Sequence, residues 1–138
     1  MAGRLLLDTC AIIWIALDQS MRSQVKAAID AEMAADEKLR VSPISAWELG
    51  LLCAKGRLPA TKTPIALFND VISTRGVKVE ALTPEVLVES SFLPGEIHPD
   101  PADRILIATA RKHDLILVTR DKGILAYGEA GHVRVMEC

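Results

Sequence analysis

The chain has 138 residues, half of them hydrophobic, with a formal net charge of −2. That is the length of one domain with apolar matter for a real core, and no apolar run approaches the roughly 20 residues of a membrane span. Three cysteines (Cys10, Cys53 and Cys138) without CxxC spacing indicate neither a disulfide framework nor a zinc site.

The mean hydropathy of +0.25 is high for a small soluble protein, so the excess apolar surface is expected inside or against a partner. Met1-Ala2-Gly3-Arg4 leads straight into a strand-like run, which argues against a secretory leader and for a reducing cytoplasm. No repeat, low-complexity stretch or linker divides the chain, so residues 1–138 are expected to form a single domain. The small negative charge gives no compositional sign of nucleic-acid binding. If several acids cluster around cations, however, the remaining surface is mildly basic, with Arg104, Arg111, Lys112, Arg120 and Lys122 in the second half.

Short aliphatic runs near 4–7, 39–42, 77–81, 115–119 and 133–136 have the composition of buried parallel strands. Helical segments are expected over roughly 11–17, 22–36, 44–55, 64–75, 84–92 and 102–113. Punctuation supports these bounds. Gly56 and Pro59 follow a helix, Thr83-Pro84-Glu85 is a helix start, and Pro94-Gly95 and His98-Pro99 mark a loop. Alternating strands and helices define an α/β fold with a mainly parallel sheet covered on both faces.

Four acids fall at strand ends or helix starts, where open α/β sheets place their ligand crevice. Asp8 closes Leu5-Leu6-Leu7 and serves equally as an N-cap for the next helix. Glu48 shares a helix face with Ile44, Leu51 and Leu52, which calls for a partner such as a cation. Ser45-x-x-Glu48 also has capping-box spacing. Asp103 lies one turn after Asp100-Pro101, a cap with proline at the first helical position, and interaction with the helix dipole is its ordinary role. Asp121 follows Thr119-Arg120 and precedes Gly123, where it also suits a simple turn. Separate in sequence yet alike in position, the four suggest a hard-cation site.

Leu5-Leu6-Leu7-Asp8-Thr9, Ser45-Ala46-Trp47-Glu48-Leu49, Asp100-Pro101-Ala102-Asp103-Arg104-Ile105-Leu106-Ile107-Ala108 and Leu117-Val118-Thr119-Arg120-Asp121 resemble PIN-domain proteins. More narrowly they resemble VapC-type toxins of bacterial toxin–antitoxin modules, over essentially the whole chain. The resemblance implies a three-layer α/β/α sandwich with about five central strands. It implies catalytic metal ligands at Asp8, Glu48, Asp103 and Asp121, with Thr9, Thr119 and Asp100 in support. Cys10 departs from the small polar residue or histidine common in relatives. The implied activity is Mg2+- (or Mn2+-) dependent endoribonucleolytic cleavage, of tRNA or rRNA, leaving phosphate on the 5′ side of one product. The implied partners are a VapB-like antitoxin, docking an amphipathic helix against the 11–17 and 44–55 helices, and a second copy in a homodimer.

Arg104, Arg120 and Lys122 flank the acids and are candidates for the substrate backbone, or ordinary solvated surface. His98, His113 and His132 show no pairing that would support metal-free acid–base cleavage. Trp14 and Trp47 could stack on bases or pack in the core or an interface. Two other functions stay open. A phosphohydrolase would use Asp8 as nucleophile, but the usual second acid two residues on is replaced by Cys10. A catalytically inactive domain would only bind RNA or protein, and would have lost metal binding.

Overall fold

The computed structural model describes residues 4–17, 23–34, 39–58, 61–73, 77–96 and 100–138. In chain order they form β1 (Leu5–Leu7), α1 (Thr9–Ala16), α2 (Ser23–Ala34), β2 (Leu39–Val41), α3 (Pro43–Ala54) and α4 (Pro64–Ile72). Then follow β3 (Val77–Val79), α5 (Pro84–Glu89), α6 (Pro101–His113), β4 (Ile116–Thr119), α7 (Lys122–Glu129) and β5 (Arg134–Glu137). Met1–Gly3, Pro59, His98-Pro99 and the ends of two expected helices (22 and 35–36, and 74–75) lie outside the described residues.

Five strands stand where the aliphatic runs place them, four trimmed by a residue or two and β5 shifted by one. Six helices match expectation and α7 does not: with Gly123 and Gly128 inside it, its sequence is that of a turn. Asp121 nucleates it as N-cap, accepting the Ile124 amide at 2.9 Å. Ser42, Thr63, Thr83 and Asp100 cap four other helices, each followed by proline, whose fixed φ and missing N–H suit a first helical turn.

The sheet order is β3-β2-β1-β4-β5, and every pairing is parallel. Successive residues of β1 point to opposite faces. Leu5 and Leu7 pack with Ile12, Val25, Leu49 and Phe68 on one side, while Leu6 packs with Val86, Leu106, Ile107 and Ile124 on the other. All three leucines are buried, and burying each side chain stabilises the fold by about 1.5–3 kcal/mol. The result is the expected three-layer α/β/α sandwich. Among the described residues no helix is long and apolar enough to cross a membrane.

The chain steps outward from β1 to β3, then returns to lay β4 on the other side of β1. With right-handed crossovers, that reversal sends α1 to α4 over one face and the later helices over the other. It also opens a crevice beyond the carboxyl ends of β1 and β4. The Asp8 amide donates to the Val118 carbonyl at 2.9 Å, and the Asp8 carbonyl accepts the Ala11 and Ile12 amides that start α1. The first candidate acid is therefore fixed by strand and helix together.

Candidate metal centre

Both carboxylate oxygens of Asp8 are engaged. Oδ1 accepts the Thr9 amide at 2.7 Å. Oδ2 accepts the Thr119 hydroxyl at 2.6 Å and the Cys10 thiol at 3.7 Å. Cys10, the departure noted in the sequence, thus still supplies a weak donor to the same carboxylate. Burial pushes the Asp8 carboxyl up; the bonds from Thr119, Thr9 and Cys10 pull it down, and the charge of Asp121 adds to the rise.

Glu48 is not the acid of a capping box. Helix α3 is capped by Ser42, whose Oγ accepts the Ile44 amide at 3.2 Å, so Ser45 lies within the first turn and Glu48 in the second. The Thr9 hydroxyl bonds Glu48 Oε1 and lies 2.9 Å from Ser45 Oγ. A hydroxyl carries one proton, so when Glu48 is ionised Thr9 donates to it and accepts from Ser45. Burial, and after it the charges of Asp8, Asp100 and Asp121, push Glu48 up to about 7 against the Thr9 bond.

Asp103 is buried in the first turn of α6. Asp100 caps that turn, its Oδ1 accepting the Ala102 amide at 2.8 Å and the Asp103 amide at 3.3 Å. Burial is the largest cause that lifts the Asp103 carboxyl to about 8, followed by the charges of Asp8, Asp100, Asp121 and Glu48.

One oxygen each from Asp8, Glu48 and Asp103 lies within 4.8 Å of the other two. Asp121 stands outside this trio but lines the same cavity, of about 540 Å³. Its amide donates to Thr119 Oγ1 at 3.0 Å while its Oδ1 caps α7. Thr119 thereby links Asp121 to Asp8. The set is all hard oxygen donors, the kind that Mg2+ and Mn2+ take. Carboxyls pushed upward by burial and by one another are crowded negative charge that a divalent cation would relieve. These residues fit a divalent metal.

Of the expected backbone-binding cations, Arg120 lines the cavity, whereas Arg104 and Lys122 do not. Lys55 and Arg57 do line it, and neither was expected from the sequence. A signal for Lys55 existed: Glu48, Leu51, Leu52 and Lys55 repeat at i, i+3, i+4 and i+7, one face of a helix, and all four line the cavity. His113 closes α6 with Nε2 3.7 Å from Glu80, and His132 stacks near Tyr127 at 4.6 Å between ring centroids; neither lines the cavity. Trp14 is half-buried against the core and Trp47 is exposed.

Residues 5–130 match the PIN domain family model, and the chain belongs to the PIN-domain family. Over 122 residues it is 31% identical to Ribonuclease VapC22 of Mycobacterium tuberculosis (strain ATCC 25618 / H37Rv), spanning 88% of this chain and 90% of that protein. That likeness places it among the VapC-type members. Its fold is shared with DNA-bound VapBC from Salmonella typhimurium, at a TM-score of 0.66 and 14% identity over 99% of this chain and 98% of that one. PAE2754 from Pyrobaculum aerophilum superposes with a TM-score of 0.60 and 25% identity over 91% and 85%.

Proposed function

We propose that this protein is a Mg2+- or Mn2+-dependent endoribonuclease, the toxin of a toxin–antitoxin pair. Asp8, Glu48, Asp103 and Asp121 hold the metal, with Thr9, Thr119 and Asp100 supporting them. The reading rests on the meeting of three carboxylate oxygens within 4.8 Å at the sheet's crevice. Kinship with Ribonuclease VapC22 supports RNA as the substrate, and tRNA or rRNA is the RNA class proposed.

When bound, the metal would neutralise charge on the phosphoryl oxygens and make a water easier to deprotonate for in-line attack, with the phosphate left on the 5′ side of one product. The chain's own residues supply placement. Thr119 and the Thr9 amide lock Asp8 in one rotamer, and Thr9, backed by Ser45, locks Glu48. That locking lowers the reorganisation needed when substrate arrives. With Oδ1 and Oδ2 both accepting hydrogen bonds, Asp8 suits an anchored ligand better than the nucleophile of a phosphohydrolase.

A VapB-like antitoxin inhibits the enzyme by covering the cavity. Trp47 and Leu51 are exposed one helical turn apart on α3, and Leu51 also lines the cavity. An amphipathic helix laid on that pair would close the cavity mouth. The VapBC assembly of the Salmonella typhimurium relative supports such a partner. Exposed Val88 and Phe92 offer apolar surface for a homodimer. The protein works in the cytoplasm, where Cys10, Cys53 and Cys138 stay as free thiols.

The test is cleavage of a mixed tRNA and rRNA pool by antitoxin-free protein with Mg2+, Mn2+ or EDTA, beside Asp103→Asn. Discrete cuts that vanish with EDTA and with the variant are expected. Cutting that survives both would remove the acid site from the mechanism.

A further inference from the structure

Three cations share the cavity of the acid cluster: Lys55 and Arg57 from the turn after α3, and Arg120 from the end of β4. Several cations elsewhere are neutralised by carboxylates, Arg40 by Glu80 at 2.8 Å, Lys62 by Asp70 at 2.6 Å and Arg134 by Asp114 at 2.9 Å. Lys55, Arg57 and Arg120 have no Asp or Glu side-chain partner among the described residues, although Asp8, Glu48, Asp100, Asp103 and Asp121 line the same cavity.

Arg120 is also held in place. Its Cζ lies 3.5 Å from the centroid of the Trp14 ring, and its Nε donates to the Cys138 carbonyl at 3.3 Å. Stacking and one hydrogen bond leave the two terminal nitrogens, the pair that grips a phosphate in bidentate fashion. A fork fixed beforehand loses little entropy when the ligand arrives. On the other element, Lys55 and Arg57 straddle Gly56, whose φ of 68° is the left-handed conformation glycine tolerates. The turn is tied by the Gly56 amide to the Cys53 carbonyl at 3.1 Å and the Arg57 amide to the Leu52 carbonyl at 2.9 Å. Acids at the centre and unpaired cations around them match a phosphodiester strand whose cut bond meets the acids and whose flanking phosphates meet the rim.

Resting on the ribonuclease reading, we infer that Arg120, Lys55 and Arg57 grip the phosphates flanking the cut bond of one RNA strand, with Trp14 the positioning residue for Arg120. The probe is a fluorescein-labelled decamer of uridine, bound to the Asp103→Asn protein in Mg2+ and followed by anisotropy from 50 to 200 mM salt. Removing one phosphate-binding cation should flatten the slope of log affinity against log salt by about 0.7. Lys55→Ala, Arg57→Ala and Arg120→Ala should each do so, and the triple variant should show the sum of the three effects. Lys26→Ala, an exposed lysine of α2 outside the cavity, should leave the slope alone. Trp14→Leu should act like Arg120→Ala on the slope, whereas Trp14→Phe, which keeps a ring under the guanidinium, should retain it.

In the cutting-competent protein, the triple variant should raise KM for RNA at least about tenfold, with kcat changed less. A triple variant with unaltered slope and KM, in a protein that still cuts RNA, would overturn the inference and leave the ribonuclease reading intact. Unaltered RNA affinity with lost antitoxin affinity would overturn it too, and assign the rim to the protein partner. Wild-type protein that cuts no RNA in the mixed pool would sink the underlying reading, and the inference with it.

Discussion

Thr119 Oγ1 donates to Asp8 Oδ2 at 2.6 Å and accepts the Asp121 amide at 3.0 Å, so one hydroxyl ties the ends of β1 and β4 at the point where the strand order reverses. Thr119 is fully buried, and hydrogen bonds to charged groups contribute about 1.5–3 kcal/mol. Thr119→Val keeps the shape and removes the donor. We expect a stability loss of that order in urea unfolding at pH 7. We also expect metal affinity to fall about 10–100-fold, the usual effect of removing a partner behind a metal ligand, measured by calorimetric titration with Mn2+. Unchanged metal affinity would show that Asp8 needs no support from β4.

The crowded carboxyls make the metal-free protein sensitive to pH in a defined direction. Asp103 and Glu48 rise from ordinary values of 3.8 and 4.5 to about 8 and about 7 in the folded state, and Asp8 also rises. Between those limits the folded chain binds more protons than the unfolded one, so stability falls as pH increases. With respect to these groups the metal-free protein should therefore be most stable below about pH 4, lose stability from there up to about pH 8, and level off above. Mg2+ should raise the urea midpoint more at pH 8 than at pH 5, because binding requires the deprotonated ligands. Asp103→Asn should flatten the metal-free profile; a profile identical to wild type would refute the charge-crowding account.

The four acids should not be equal. Asp8, Glu48 and Asp103 form the close trio, while Asp121 spends Oδ1 on the Ile124 amide. Asparagine can still cap α7. Metal-assisted stabilisation is worth several kcal/mol, and each 1.36 kcal/mol is tenfold in rate. Asp103→Asn and Glu48→Gln should thus lower cleavage about 100-fold or more, and Asp121→Asn clearly less, with its helix content unchanged by circular dichroism. Equal losses for Asp103→Asn and Asp121→Asn would mean that the metal draws Asp121 into the trio.

The placement of the acids was legible in the sequence because Asp8, Asp103 and Asp121 sit at element boundaries that aliphatic runs and prolines mark. Sequence misled where two local rules shared one spacing. Ser45-x-x-Glu48 fits a capping box, but Ser42 takes the cap because Pro43 is suited to the first helical position, which frees Ser45 and Glu48 to meet Thr9. It failed for α7, where two glycines hide a helix sustained by the Asp121 cap and by burial of Ile124 and Tyr127. Adjacency to an acid also proved a poor guide to cations. Arg104 and Lys122 each follow an acid by one residue, and neighbours at i+1 do not share a helix face. Lys55, seven residues from Glu48, does share it.

The exposed pair Trp47 and Leu51 yields a prediction about inhibition that is separate from catalysis. Trp47 is 53% exposed and Leu51 37%, neither belongs to the acid trio, and Leu51 borders its cavity. Aromatic anchors at the centre of an interface cost about 2–4 kcal/mol when removed, which is roughly 30- to 1000-fold in affinity. Trp47→Ala should weaken antitoxin binding in that range, chiefly through faster dissociation, while RNA cleavage by the free protein stays within a few-fold of wild type. Surface plasmon resonance against immobilised antitoxin, run beside the cleavage assay, separates the two effects. Loss of cleavage with antitoxin affinity retained would put Trp47 in the RNA path and move the antitoxin contact elsewhere on the molecule.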